Sequence, residues 1–274
     1  MSKEYGSNPV KIEKIVTDSF KMNYFRFGSG EKLLVILPGL SVQSVMSSAR
    51  AVADEYAVMQ EDFTVYLFDR RTDLPREYSV HHMAEDTAAA MEALGLNNVC
   101  LFGASQGGMI AIDIAIHHPG LVGKLALGSS TPDAETDVSG AVGRWIALAK
   151  AGDRVGLYQE FGRAVYPPAV FEKYRGALSA AGETVTDEEL ARFVTLAEGT
   201  AGFNMTDRLT EIKCPVLAIG SVDDRVLSPA SIKKIINKLG DRADFSYYLY
   251  DGFGHASFDT APDYRDRLYN FFIE

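Results

Sequence analysis

An α/β fold is what this chain predicts: a mostly parallel central sheet with helices on both faces, interrupted once by a helical insertion. Three observations carry it. Short apolar runs alternate with amphipathic segments across residues 32–130, the rhythm lapses over 131–209, and it returns at 213.

The elements follow in order. Residues 10–28, VKIEKIVTDSFKMNYFRFG, alternate loosely around a polar break at 17–19 and predict an antiparallel hairpin. KLLVILPG, 32–39, is a short apolar run stopped by Pro38 and Gly39, the form of a strand buried on both faces. The mixed stretch 42–60 predicts a helix, and FTVYLFD, 63–69, a second buried strand. A helix over 79–95 ends at Gly95, and the strands NVCLFG, 98–103, and LVGKLALG, 121–128, flank a helix that begins after Ser105. From 131 to 209 there is no convincing strand, only helix-like segments such as VGRWIALAKAGDRVGLYQEFGRAVY and TDEELARFVTLAEG. A structureless loop of that length does not suit a compact domain, so the segment is read as inserted helices. KCPVLAIG and DFSYYLYDG then supply two strands, SPASIKKIINKLG a helix with Pro229 near its start, and APDYRDRLYNFFIE a closing helix. The predicted division is a core of residues 1–130 and 210–274 and a helical cap of 131–209.

With 274 residues, 47% of them hydrophobic, the chain can bury a full core. A net charge of -10 and the lack of any basic run argue against a nucleic-acid surface. MSKEYGSNPV lacks the apolar stretch of a secretion signal and no later run would cross a bilayer, so a soluble, cytoplasmic protein is expected, with no membrane partner. Cys100 and Cys214 each open an apolar run, where a free thiol behaves as a small hydrophobe; no disulfide, metal site or cofactor is expected.

The stretch GASQG, 103–107, has the pattern G-x-S-x-G between a predicted strand and a predicted helix. Gly103 and Gly107 leave room for a sharp turn that pushes Ser105 out at the strand end, where unpaired helix N–H groups favour a developing negative charge. The N–H of Gln106 is the first expected oxyanion donor. The second is that of Leu40, in the turn LPGLS where Gly39 allows close approach.

A serine hydroxyl needs a base that is itself oriented. Of five histidines, His117 and His118 end a helix beside Pro119 and read as dipole partners; His81 and His82 start one, where Glu85 and Asp86 are expected to pair with them. His255, in YDGFGHASF just past a predicted strand, is the candidate base. The orienting acid is sought in SVDDRVLSP, where Asp223 and Asp224 both qualify. Counting from Gly220 favours Asp223; the form of DRVL favours Asp224, which is preferred.

The order Ser105, Asp224, His255 and the motifs GASQGG, GSVDDRVLSP and GFGHASF, supported by LPGLS and FDRRTDL, resemble the serine-type α/β-hydrolases that carry a helical cap. The resemblance spans nearly the full length. Two departures stand out: Pro38-Gly39 where the family usually has His-Gly, and Arg70-Arg71-Thr72-Asp73 where it often has a glycine-rich turn. The resemblance implies hydrolysis of a small or medium apolar ester or thioester through an acyl-enzyme, without a cofactor. Carbon–carbon bond hydrolysis, cofactor-free perhydrolysis and a slow-turnover small-molecule receptor are the alternatives on the same fold. Among the insertion's aromatic residues, Trp145, Tyr158, Phe161, Tyr166, Phe171, Tyr174, Phe193 and Phe203, most are expected to hold the cap together and a few to line the entrance. Arg70, Arg71 and Arg144 read by default as solvated surface arginines.

Overall fold

The structure is a computed structural model that describes residues 10–134 and 140–274; the N-terminal stretch read for a signal, except Val10, and part of the predicted cap, 135–139, lie outside the described residues. Strands β1 (Ile12–Val16) and β2 (Lys21–Phe27) form the expected hairpin, with Thr17 accepting at its Oγ1 from the N–H of Phe20 across the turn. Then follow β3 (Lys32–Leu37), helix α1 (Ala49–Glu55), β4 (Phe63–Arg71), α2 (Val80–Ala93), β5 (Val99–Ala104), α3 (Gln106–His117) and β6 (Val122–Gly128). The helix expected over 42–60 is broken: α1 holds seven residues and is flanked by two 3-10 turns.

Four helices occupy the interval that breaks the strand rhythm: α4 (Ala141–Lys150), α5 (Arg154–Val165), α6 (Pro168–Glu183) and α7 (Asp187–Glu198). The long helix-like stretch from Val142 onward splits at Gly152, whose φ of +73° is the left-handed conformation that ends α4. Asp153 then caps α5 by accepting from the Gly156 N–H, and Thr186 with Glu189 forms a capping box on α7. After β7 (Val216–Ser221) come α8 (Ser228–Leu239), β8 (Phe245–Tyr250), α9 (Ser257–Thr260) and α10 (Tyr264–Ile273).

The eight strands form one sheet in the order β1-β2-β4-β3-β5-β6-β7-β8, antiparallel for the first two pairings and parallel for the rest. Strand alternation fills two separate cores. Leu34, Ile36, Val65, Leu67 and Phe102 pack on one face with Tyr264, Leu268 and Phe272 of α10. Val35, Leu37, Tyr66, Phe68 and Leu101 face the other way, toward α2 and α3 and a core shared with α4, α5 and α7. Both faces being covered explains why the strands read as continuous apolar runs rather than alternating ones. All the parallel strands therefore present their C-terminal ends along one edge, where loops carry functional groups.

Cys100 and Cys214 are free thiols, and burial pushes both up to about 11. At pH 7.5 the folded protein should therefore react slowly with a thiol reagent, and unfolding in denaturant without reductant should release two rapidly reacting thiols. A yield below two would show a disulfide that this geometry does not contain.

Candidate active site

Strand β5 ends at Ala104 and α3 begins at Gln106, so Ser105 alone turns the chain, at φ 53° and ψ -120°. Four hydrogen bonds hold its backbone there: its N–H donates to the Gly128 carbonyl at 2.8 Å, and its own carbonyl accepts from the Gly108 N–H and the Ser130 hydroxyl, each at 2.9 Å, and from the Met109 N–H at 3.2 Å. The turn presses α3 against the end of β3 so tightly that a Cβ on Gly107 would collide with the Leu37 carbonyl. A Cβ on Gly39 would lie 3.2 Å from that of Ser105, which is how closely the turn after β3 approaches the serine. Gly103 is equally confined, beneath the Gly107 carbonyl.

Ser105 Oγ lies 3.0 Å from His255 Nε2, and His255 Nδ1 lies 2.8 Å from Asp224 Oδ2. The imidazole is 3% exposed and Asp224 8%, so the two are isolated from bulk water. Asp224 Oδ1 also accepts from the N–H groups of Val226 and Leu227, at 2.8 and 3.0 Å. Burial acts to raise the Asp224 carboxyl; the charge and hydrogen bond of His255 and those two N–H groups outweigh it and hold the group below the ordinary carboxylate value. An ionised acid at Nδ1 selects the tautomer whose Nε2 accepts the serine proton. Asp223 points elsewhere. Its carboxylate accepts from the N–H groups of Gly252 and Gly254 and so anchors the loop that carries the histidine.

The N–H of Gln106 is the first of α3 and has no acceptor within the helix, and Gly39 and Leu40 line the cavity beside Ser105. The Gln106 side chain is locked on both sides: Nε2 donates to the Leu196 carbonyl at 2.7 Å, and Oε1 accepts from Arg70 Nη2 at 3.3 Å. The same Arg70 nitrogen donates to the Pro38 carbonyl at 2.8 Å. Arg70 is only 3% exposed, and burial lowers it to about 10, which corrects its default reading as a solvated arginine. Arg71 bonds Asp86 and Asp73, and Arg144 bonds Glu160, so neither serves as a clamp at the serine. The support given by Arg70 was missed in the sequence because the departure at FDRRTDL marks an unusual loop but not its direction.

Ser105 and His255 open into a cavity of about 210 Å³. Trp145, Phe161 and Tyr166 form much of its wall, together with residues 38–41, Phe258 and Asp259. Of the other aromatic residues in the inserted helices, Tyr158 donates to Gln43, Phe171, Phe193 and Phe203 are buried in packing, and Tyr174 is exposed.

The remaining histidines depart from their expected partners. Glu85 bonds His118, Asp86 bonds Arg71 and Tyr78, and His81 instead reaches Asp113. His81, Asp113 and His117 each bring one possible metal-ligand atom within 4.8 Å of the others, at the end of α3 away from Ser105. Arg208 donates to His117 Nε2, which leaves the Nδ1–H for Asp113 Oδ1, while Asp113 Oδ2 is buried without a hydrogen-bond partner among the described residues.

Comparison with known proteins agrees with this architecture. A family model described as the alpha/beta hydrolase fold matches residues 32–262. A protein of Pseudomonas savastanoi pv. phaseolicola named "Putative carbamate hydrolase RutD" is 25% identical over 247 residues, 84% of this chain and 89% of its own. The protein of the same name from Caulobacter vibrioides is 25% identical over 263 residues, 89% of this chain and 91% of its own. Among solved structures, the alpha/beta hydrolase MGS-M2 from a Medee basin deep-sea metagenome superposes with a TM-score of 0.83 at 19% identity, covering 96% of this chain and 98% of that one. The enol-lactonase of Burkholderia xenovorans gives 0.79 at 17% identity, covering 96% and 100%. With the match spanning most of its length, and the sheet order and the strand–serine–helix turn described above, this chain belongs to the α/β-hydrolase fold family.

Proposed function

We propose that this hydrolase cleaves small or medium apolar carboxylic esters or thioesters through an acyl-enzyme, with Ser105 as nucleophile, His255 as base and Asp224 as the acid that orients it. The observation that carries the reading is the unbroken relay from Asp224 to His255 to Ser105, at 2.8 and 3.0 Å, opening into an aromatic-walled cavity. His255 Nε2 takes the hydroxyl proton as Ser105 Oγ bonds to the substrate carbonyl carbon. The N–H groups of Gln106 and Leu40 receive the oxyanion. The imidazolium returns its proton to the leaving alcohol or thiol, and water, activated by the same nitrogen, releases the acid and restores the serine. Residues 131–209 serve as the cap over a core of 1–130 and 210–274, and supply the apolar wall. Relatives named for carbamate hydrolysis and neighbours described as esterases and a lactonase support acyl transfer as the class of chemistry.

Exposure to a small fluorophosphonate, read by intact mass, tests the nucleophile. The wild type should gain one adduct and Ser105→Ala none; an adduct that survives the substitution would overturn the mechanism. Asp224→Asn should slow phosphonylation by about 10⁴-fold, because the wrong tautomer is then favoured. Asp223→Asn, which touches only the loop backbone, should stay within about tenfold of the wild type.

Arg70 acts through other groups, as a positioning residue for both oxyanion donors. Arg70→Met leaves the Pro38 carbonyl and Gln106 Oε1 without their donor, and kcat on a p-nitrophenyl ester should fall about 10- to 100-fold, corresponding to about 1–3 kcal/mol. KM should remain within about twofold, and Arg70→Lys should recover part of the loss. An unchanged kcat would remove Arg70 from the site.

A further inference from the structure

Asp259 lines the same cavity as Ser105 and His255, one turn along the short helix that follows the histidine, where its N–H donates to the Ala256 carbonyl at 2.9 Å. Its surface is open to the cavity, yet protein atoms crowd around it. Among the described residues, no donor is hydrogen-bonded to its carboxylate. The nearby cation does not fill that role: Arg265 bonds Glu55 at 3.1 Å, donates to the main-chain carbonyl of Asp259 at 3.2 Å and lies over the Tyr56 ring at 5.5 Å. The other cavity walls are chiefly apolar and aromatic, so among the described residues this is the one carboxylate in the lining of the space a substrate enters. A ligand that displaces water from this cavity must offer the exposed carboxylate donors of its own, because a charge stripped of water without a partner is unfavourable.

We propose that Asp259 receives a protonated amine, so that the substrate favoured at Ser105 is an ester or thioester bearing a primary ammonium group on a short arm. The assignment rests on the reading of Ser105 as the reacting serine and adds to it a substrate class. An ammonium carries three donors for the carboxylate, and the rings of Phe161 and Phe258 in the same lining would add cation–π attraction for that charge. Tyr166, on the same wall, keeps its hydroxyl proton: burial first, then the charge of Asp259, pushes it up beyond the ordinary phenol value.

The arrangement is pH-dependent. Burial pushes the Asp259 carboxyl up to about 6, with Arg265 opposing, Glu55 adding to the rise and His255 opposing. The carboxylate is thus charged at pH 7.5 and neutral below the raised value, so cation recognition should be present above about pH 6 and fade as the pH falls through it. A bound ammonium moves that loss to lower pH.

Trp145 is the single tryptophan of the chain and lies in the cavity wall, so its fluorescence reports occupancy without any turnover. The full chain carrying Ser105→Ala, titrated with benzylammonium and with its neutral analogue benzyl alcohol at pH 7.5, should half-saturate with the cation at a concentration at least about tenfold lower. Adding Asp259→Asn should bring the two ligands within about twofold of each other while benzyl alcohol binding persists, which also shows that the variant is folded. Equal affinities with Asp259 in place, a cation preference that survives Asp259→Asn, or no response to either ligand would each overturn the assignment. Because the readout needs no reactive serine, its failure is distinct from a failure to form the Ser105 adduct.

Discussion

Everything at the candidate active centre depends on keeping one residue, Ser105, in a backbone conformation that side chains rarely adopt. Its φ of 53° with ψ of -120° costs on the order of 1–3 kcal/mol and persists only where the surroundings over-determine it. Those surroundings are the neighbouring strand and turn: Gly128 accepts the serine N–H, and Ser130 donates to its carbonyl. Gly107 admits the end of β3 at a distance no side chain would permit, and Gly39 lets the following turn approach Ser105 so that an added Cβ would lie 3.2 Å from that of the serine. The result is a hydroxyl held where strand ends and a helix N-terminus meet. Its direction is set by the sheet rather than by its own rotamer.

A set of polar contacts behind Ser105 ties α7 to that centre. Asp69, at the end of β4, accepts from the N–H of Arg70, from Arg192 of α7 and from the hydroxyl of Ser44. Arg70 reaches the Pro38 carbonyl and Gln106, and Gln106 in turn reaches the Leu196 carbonyl of α7. The turn after β3, the first residue of α3 and the last turn of α7 are therefore coupled through one buried guanidinium. Such a network rigidifies only when fully satisfied. Arg70 Nε lacks a partner among the described residues, which makes this the one place in the network where polar satisfaction is incomplete.

The two carboxylates nearest the histidine show how surroundings divide one residue type into opposite behaviours. Asp224 is buried, yet two backbone N–H groups and the imidazole hold it ionised. Asp259 is crowded by protein without comparable donors and is pushed toward neutrality. The difference in hydrogen-bond partners sets the two apart: three donors surround Asp224, and among the described residues none reaches the carboxylate of Asp259.

The local features were legible because they depend on neighbours in the chain. Apolar runs ended by glycine and proline marked the strands, the G-x-S-x-G spacing marked the turn at Ser105, and the position of His255 past the last strand marked it as the candidate base. The pairing of β1 with β2 followed from a polar break between two alternating runs. The broken helix over 42–60 was not legible, since its mixed polarity fits a single helix as well as two short turns around α1. The direction of Arg70, the convergence of His81 and His117 on Asp113, and the different targets of Asp223 and Asp224 join residues far apart in sequence, and spacing along the chain carries no record of side-chain direction. By itself, then, the sequence determined the order of elements and the types of residue at the strand ends, because backbone propensity and hydrophobic period are local. Only the tertiary structure decided which polar groups meet, which arginine is buried and which carboxylate is left without a partner, because those outcomes depend on packing between segments that the chain brings together only on folding.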